Sequence, residues 1–461
     1  MKPMNVLLIN SHEHRYDCLA GHGHPLIKTP GFDRLMAEGV DFTRAYATSA
    51  LTSAARAGLI TGQWPVQMQS GSAWGLETFR TATDREHTVP GRLKEVGYGL
   101  GWVGNFFHET AETPEELGFD VFVNDDRYLA WRRGQGLPAF TAPDWGGAID
   151  TTIREHDSRL AWSQQQVRTT IESLGEGAAP WFVRWDPLEP STPVHPPYPF
   201  GSQYQPETIM PWPSFPDTLE GKPSIHAAHR QVWHLDQMKW DDWAPVVSRY
   251  LGEVCHLDHQ IRGLLDYLDE AGLAESTVVI YTSDHGAMVG SHGLLGSAYL
   301  AYEDVLHVPL IVRWPGRLEA GTTCDHFVHS SIDIAATIAE IAELPLARDQ
   351  AGMCLAENVE EEADYLRPDT FSAWPGGLAG TFRQRVVREV RWKYVWNAST
   401  EDELYDLDAD PHEMTNRIHD PACDEELRRL RERLLDWMTD LDDPVATTWT
   451  AIAINSGLTV I

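Results

Sequence analysis

The stretch Thr277-Val-Val-Ile-Tyr-Thr-Ser-Asp-His-Gly286 constrains this chain more than any other. Its run of β-branched and aromatic residues predicts a buried strand of a parallel sheet. The strand runs out in Asp284 and His285, and Gly286 then lets the backbone turn sharply. Ligands of open α/β sheets bind at the carboxyl ends of strands, and an aspartate beside a histidine is a metal-ligating pair. A loop aspartate that caps the next helix is the plain alternative.

A second strand, Asn5–Asn10, leads straight into His12 and Glu13, so metal-capable side chains follow this strand end as well. His14, His22 and His24 read as surface-loop histidines. Thr29–Gly39 reads as a short helix with Pro at its start and Gly at its end, and Val40–Tyr46 as a strand. Thr48–Gly62 runs from a polar turn into a small-residue helix. Thr52 falls near its N-terminus, where unpaired amides favour an anion or alkoxide. Arg56 lies one turn on, on the same face.

Downstream, Arg249–Leu265 reads as an amphipathic helix, Val308–Trp314 as a strand and Ile332–Ile341 as a helix. The acidic stretch Glu357–Asp364 suggests a linker or exposed loop. The length of 461 residues predicts one large and one smaller domain, each with its own core. A terminal helix, Glu425–Leu441, should follow, with Leu427, Leu430, Leu434 and Met438 on one face. Between Phe200 and Tyr250 the chain is rich in Pro and Trp. Trp212, Trp233, Trp240 and Trp243 would line a pocket for an apolar or cationic ligand, or pack at a homo-oligomer contact.

Charge narrows the partners. With 68 acidic and 36 basic residues the chain carries −32, which argues against nucleic acid and anionic membrane and leaves a small-molecule substrate. Scarce lysine and plentiful arginine would suit a salt-rich cytoplasm. The five cysteines are odd in number and lack a CxxC pair, so they read as reduced thiols. No secretory signal precedes the first strand and no apolar run would span a bilayer, so a cytoplasmic protein is expected.

The blocks together resemble the sulfatase-like members of the alkaline phosphatase superfamily, which include sulfatases, phosphonate monoester hydrolases and phosphodiesterases. Asn5–Ile9, Thr29-Pro with Asp33-Arg-Leu, and Arg56 with Leu59-Ile-Thr-Gly62 are similar to that family's opening. Thr282–Gly286, Gly290–Leu294 and Val308–Gly316 are similar to its metal strand and the blocks after that strand, and Asp402–Asn416 to its C-terminal signature. The resemblance implies an α/β, alkaline-phosphatase-like fold, a large mostly parallel sheet flanked by helices over residues 1–366 with a smaller C-terminal α+β domain, 367–461, that holds short antiparallel strands including Arg383–Arg388 and Lys393–Trp396. It also implies one divalent metal between His12, Glu13, Asp284 and His285, with Thr52 as nucleophile supported by Arg56.

Several positions depart from the family pattern. Sulfatases carry Cys or Ser, converted to formylglycine, where Thr52 stands; phosphodiesterase relatives use Thr directly. Imidazole at position 12 shifts the expected metal from Ca or Mg toward Zn, Mn or Fe. The family's lysine loop aligns with Asn105 and places its histidine at Phe107 or His108; its Asp-Pro-His aligns with Asp186-Pro-Leu188, and a further Lys with Ser297. His195 or His108 then remains as acid for the leaving group, and His292 would brace the metal loop. Three readings are open. The first is a metal-dependent hydrolase of a phosphate, phosphonate or sulfate ester. The second is a metal-dependent hydrolase or lyase for a less charged substrate, and the third a non-catalytic binding protein on the same fold.

Overall fold

The computed structural model describes residues 4–68, 88–106, 113–137, 158–177, 179–297, 299–347, 350–360, 367–374 and 383–457. Its strands are β1 (Asn5–Ser11), β2 (Val40–Phe42), β3 (Ala45–Tyr46), β4 (Gly99–Gly104), β5 (Val121–Val123), β6 (Trp181–Asp186) and β7 (Thr277–Ser283). There follow β8 (Leu310–Arg313), β9 (Thr322–Cys324), β10 (Val328–His329), β11 (Asp369–Trp374), β12 (Gln384–Glu389), β13 (Trp392–Asn397) and β14 (Glu403–Asp406). Eight of them form one sheet in the order β5-β4-β6-β1-β7-β8-β2-β9. Every pairing in it is parallel except those of β8, which runs against both β7 and β2.

Side-chain alternation divides this sheet between two cores. Along β1, Leu7 and Ile9 join the face covered by the helices Pro30–Glu38, Arg159–Gly175 and Trp240–Glu270, whereas Val6 and Leu8 join the opposite face with the helix Ser330–Ile341. All four are at most 1% exposed, and burying each contributes about 1.5–3 kcal/mol. The first helix packs closely against the helix Trp240–Glu270 because Gly31 has no side chain: a Cβ there would sit 2.4 Å from the carbonyl of Asp258. The strand expected over Val40–Tyr46 is two short strands, since β2 pairs with β8 and β9 while β3 pairs with β10.

The predicted mostly parallel α/β architecture with a smaller C-terminal sheet is what the structure has. Strands β11 to β14 form an antiparallel meander. The helix Asp424–Asp440 lies on it through Leu427, Leu430, Leu434, Trp437 and Met438, so the predicted apolar face is the buried one. Residues 361–366, where the expected domain boundary and the end of the acidic stretch fall, lie outside the described residues. All five cysteines are buried and free, and among the described residues no helix is long and apolar enough to cross a membrane.

Candidate active site

The register between β1 and β7 builds the site. Ser11 pairs with Ser283, so the next residues on each strand, His12 and Asp284, emerge side by side at the carboxyl edge. His12 Nδ1 donates to Asp284 Oδ2 at 2.8 Å. The other oxygen, Oδ1, accepts the backbone amides of Glu13 at 3.2 Å and His285 at 2.8 Å. Arg56 Nε donates to Oδ2 at 2.9 Å. Burial alone would raise the Asp284 pKa, but the His12 donor and the Arg56 guanidinium outweigh it and hold the carboxyl well below its usual value.

Arg56 is fully buried and reaches a second strand end. Its Nη1 donates to Asp186 Oδ2 at 3.0 Å and to the carbonyl of Asn105 at 3.3 Å. Asp186 closes β6 and is also gripped by Arg184, whose Nε and Nη2 each reach a carboxylate oxygen at 2.7 Å. Two carboxylates and two guanidiniums therefore alternate beneath the site, and their charges cancel. Asp186 and Arg184 were not among the candidate residues of the sequence; the signal that marks Asp186 is the one that marks Asp284, a carboxylate at the end of a buried parallel strand.

Thr52 is the first residue of the helix Thr52–Thr61, and the residue before it, Leu51, offers no side-chain cap. The helix's first amides thus lack an intrahelical partner and face the site. Thr52 Oγ1 lies 3.0 Å from His285 Nε2. His285 Nδ1 lies 2.8 Å from the carbonyl of Gly286, and a carbonyl only accepts. The proton is therefore on Nδ1, the lone pair on Nε2, and Thr52 donates to it. The same reasoning puts the lone pair of His12 on Nε2, because its Nδ1 proton goes to Asp284.

His12, Asp284 and His285 each offer a donor atom, and these atoms lie within 4.8 Å of one another. Two imidazoles and a carboxylate, with both Nδ1 protons anchored to fixed acceptors, suit a divalent transition ion. Glu13, expected as a fourth ligand, sends its carboxylate elsewhere: Oε2 accepts from the amide and hydroxyl of Thr192 at 3.2 and 3.4 Å. The cause is a left-handed backbone at Glu13, with φ of 61°, which carries the side chain away from His12.

The remaining candidates fall around this centre. His195 is half-buried on the loop whose Thr192 holds Glu13 and whose Pro190 bridges to His12, so its loop forms part of the rim. His108 lies outside the described residues. His292 braces a different contact from the one expected. Its Nδ1 donates to Asp217 Oδ2 at 2.6 Å, beside Lys222, and burial pushes its pKa down to about 3. It thereby ties the loop after β7 to the Trp-rich segment.

Those tryptophans pack in or against the core. Trp243 is fully buried, and Trp212, Trp233 and Trp240 pack against the same core. The indole N–H groups of Trp212 and Trp240 donate to the carbonyls of Val289 and Ile209 at 2.9 and 2.8 Å. The cation on Trp212 is the chain's own Arg15, 4.2 Å from the ring centre.

Comparison with known proteins finds relatives over nearly the whole chain. The multifunctional alkaline phosphatase superfamily protein PehA of Trinickia caryophylli is 25% identical over 514 residues, covering 97% of each chain. The arylsulfatase of Clostridium perfringens is 24% identical over 483 residues, covering 94% of each. The crystal structure of the phosphonate monoester hydrolase of Agrobacterium radiobacter superposes with a TM-score of 0.77 at 25% identity, over 95% of this chain and 96% of that one. Residues 290–440 match the C-terminal model of N-sulphoglucosamine sulphohydrolase, and residues 4–344 match the sulfatase model. Matched over well more than half its length, the chain belongs to the sulfatase family of ester-hydrolysing enzymes.

Proposed function

We propose that this protein hydrolyses a singly charged sulfate, phosphonate or phosphate ester with Thr52 as the nucleophile. The observation that carries the reading is the 3.0 Å contact from Thr52 Oγ1 to His285 Nε2, with the His285 tautomer fixed by Gly286. As Thr52 Oγ1 bonds to sulfur or phosphorus, its proton passes to His285 and the bond to the leaving alcohol breaks; water then displaces the Thr52 oxygen, which regains its proton from His285 as the acid is released. The open amides at the start of the Thr52 helix favour the charge that develops there. His195, on the rim loop, is the candidate acid for the leaving group.

The charge count supports the substrate class. Arg56 is committed to Asp284 and Asp186, and Arg184 to Asp186. A cluster of zero net charge gives little purchase to a dianionic phosphate monoester and suits a monoanion better. Family members are metal-dependent. In this chain a divalent ion would be held by His12, Asp284 and His285, with zinc, manganese or iron favoured over calcium or magnesium. When bound it supplies positive charge beside Thr52 Oγ1. Because His285 has one free lone pair, it takes the Thr52 proton while no ion is bound. With an ion held by His12, Asp284 and His285, the imidazole of His285 would serve as a ligand, and the ion's charge would itself favour ionisation of the Thr52 hydroxyl.

The test is a panel of aryl sulfate, phosphonate and phosphate esters with wild type, Thr52→Ala and His285→Ala, alongside metal content by mass spectrometry. Turnover should favour the monoanionic esters, and Thr52→Ala should lower kcat/KM by about three orders of magnitude. Undiminished turnover by Thr52→Ala would overturn the mechanism.

A further inference from the structure

A second nucleophile–base–carboxylate arrangement lies apart from Thr52. Ser158 caps the helix Arg159–Gly175 and accepts the amide of Ala161 at 2.9 Å. Its Oγ also lies 3.1 Å from His256 Nε2. His256 Nδ1 lies 3.0 Å from Glu253 Oε1, three residues earlier on the helix Trp240–Glu270. A carboxylate only accepts, so the His256 proton is on Nδ1, the Nε2 lone pair faces Ser158, and the serine hydroxyl donates to it.

The surroundings fit a reacting group better than a simple helix cap, which needs no partner beyond the helix amides. Glu253 and His256 are 4% and 2% exposed, while Ser158 is half-open to solvent. Phe200 stacks on His256 with ring centres 4.8 Å apart. It can do so because Gly252, one turn earlier, lets the Phe200 carbonyl come within 2.5 Å of where a Cβ would be. The imidazole is thus held on one side by a carboxylate and on the other by an aromatic face. The amides of Arg159 and Leu160 precede any intrahelical acceptor and lie beside Ser158, where an oxyanion would form. Because the helix leads into parallel strand β6, this end of it lies at the carboxyl edge of the sheet, where ligands bind.

We propose that Ser158, His256 and Glu253 form a second nucleophilic site that accepts acyl groups from carboxyl esters, independently of Thr52. As Ser158 Oγ bonds to the ester carbon, its proton moves to His256 Nε2. The bond to the leaving alcohol then breaks and that oxygen takes the proton from His256. Water repeats the sequence on the acyl-serine, releasing the carboxylic acid and restoring Ser158.

The experiment treats the full chain with p-nitrophenyl acetate and with an alkyl fluorophosphonate, and follows adducts by intact mass and peptide mapping. An adduct mapped to Ser158 is expected with each probe, present in Thr52→Ala and absent from Ser158→Asn, which keeps an oxygen to cap the helix. Its rate should fall about 100-fold in His256→Ala. Should that variant unfold, the conservative Glu253→Gln should still slow labelling about 10-fold or more while melting as wild type does. No adduct on Ser158 with either probe would overturn the proposal, as would a rate unchanged in Glu253→Gln or in folded His256→Ala.

Discussion

Replacing Arg56 by methionine, which keeps the length of the side chain and removes its charge, isolates the ion pairs under the site. The substitution deletes three donations, to Asp284 at 2.9 Å, Asp186 at 3.0 Å and the Asn105 carbonyl at 3.3 Å. Arg56, Asp186 and Asp284 side chains are all 0% exposed. Breaking a buried pair from one side costs about 3–5 kcal/mol. Asp186 keeps both bonds from Arg184, and Asp284 keeps His12 and two amides, so the lower end applies, about 3 kcal/mol. At about 2.1 cal/mol/K per residue, a chain of 461 residues has an unfolding entropy near 1 kcal/mol/K, and the melting temperature should fall by about 3 °C.

The sign with pH is set by Asp284. Its folded pKa is held well below the ordinary value, so its contribution is complete above the unfolded pKa and fades as pH falls through the folded one. The gap between wild type and Arg56→Met should therefore be full at pH 7 and narrow only below about pH 4. The assay is thermal melting by circular dichroism, with a double-mutant cycle to Asp284→Asn. A shift under about 1 °C, or a coupling under about 0.5 kcal/mol, would refute the role of Arg56 as the partner of Asp284.

Other perturbations test neighbouring contacts. Removing the Arg56 charge should also tighten zinc binding at His12, Asp284 and His285, and His12→Ala should weaken it, both read by calorimetry. Asp258 accepts the Phe32 amide in the core at 2.8 Å, and burial raises its pKa to about 7 against the pull of the Phe32 and Gly31 amides. The folded chain then holds a proton that the unfolded chain has lost, so stability should fall as pH rises from about 4 to 7 and level off above. Relative to Asp258→Asn, wild type should lose on the order of 2 kcal/mol between pH 5 and 8, measured by urea unfolding. A Cβ at Gly286 would lie 2.1 Å from the Asp304 carbonyl; Gly286→Ala should cost about 1–3 kcal/mol and, by displacing His285, lower turnover more than stability.

Local pattern is enough to reveal the strands and the residues at their ends. The runs Asn5–Asn10 and Thr277–Ser283 are apolar enough to be buried on both faces, and the residues after them are polar. His12, Asp284 and His285 are therefore legible as a site before any contact is known. Thr52 and Arg56 are legible too, because helical spacing puts residues four apart on one face. Their partners emerge only when the chain is folded. Arg56 meets Asp186 and Asp284 across 130 and 228 residues, and Ser158 meets His256 across 98, separations over which no local pattern carries information. Glu13 looks like a ligand because it follows His12, yet one left-handed backbone angle sends its carboxylate to Thr192. The tryptophans look like a pocket because they cluster, yet Trp243 is buried in the core and Trp212, Trp233 and Trp240 pack partly buried against it. Local periodicity fixes which residues reach an edge or a face; sheet register, helix packing and single backbone angles fix what they meet there.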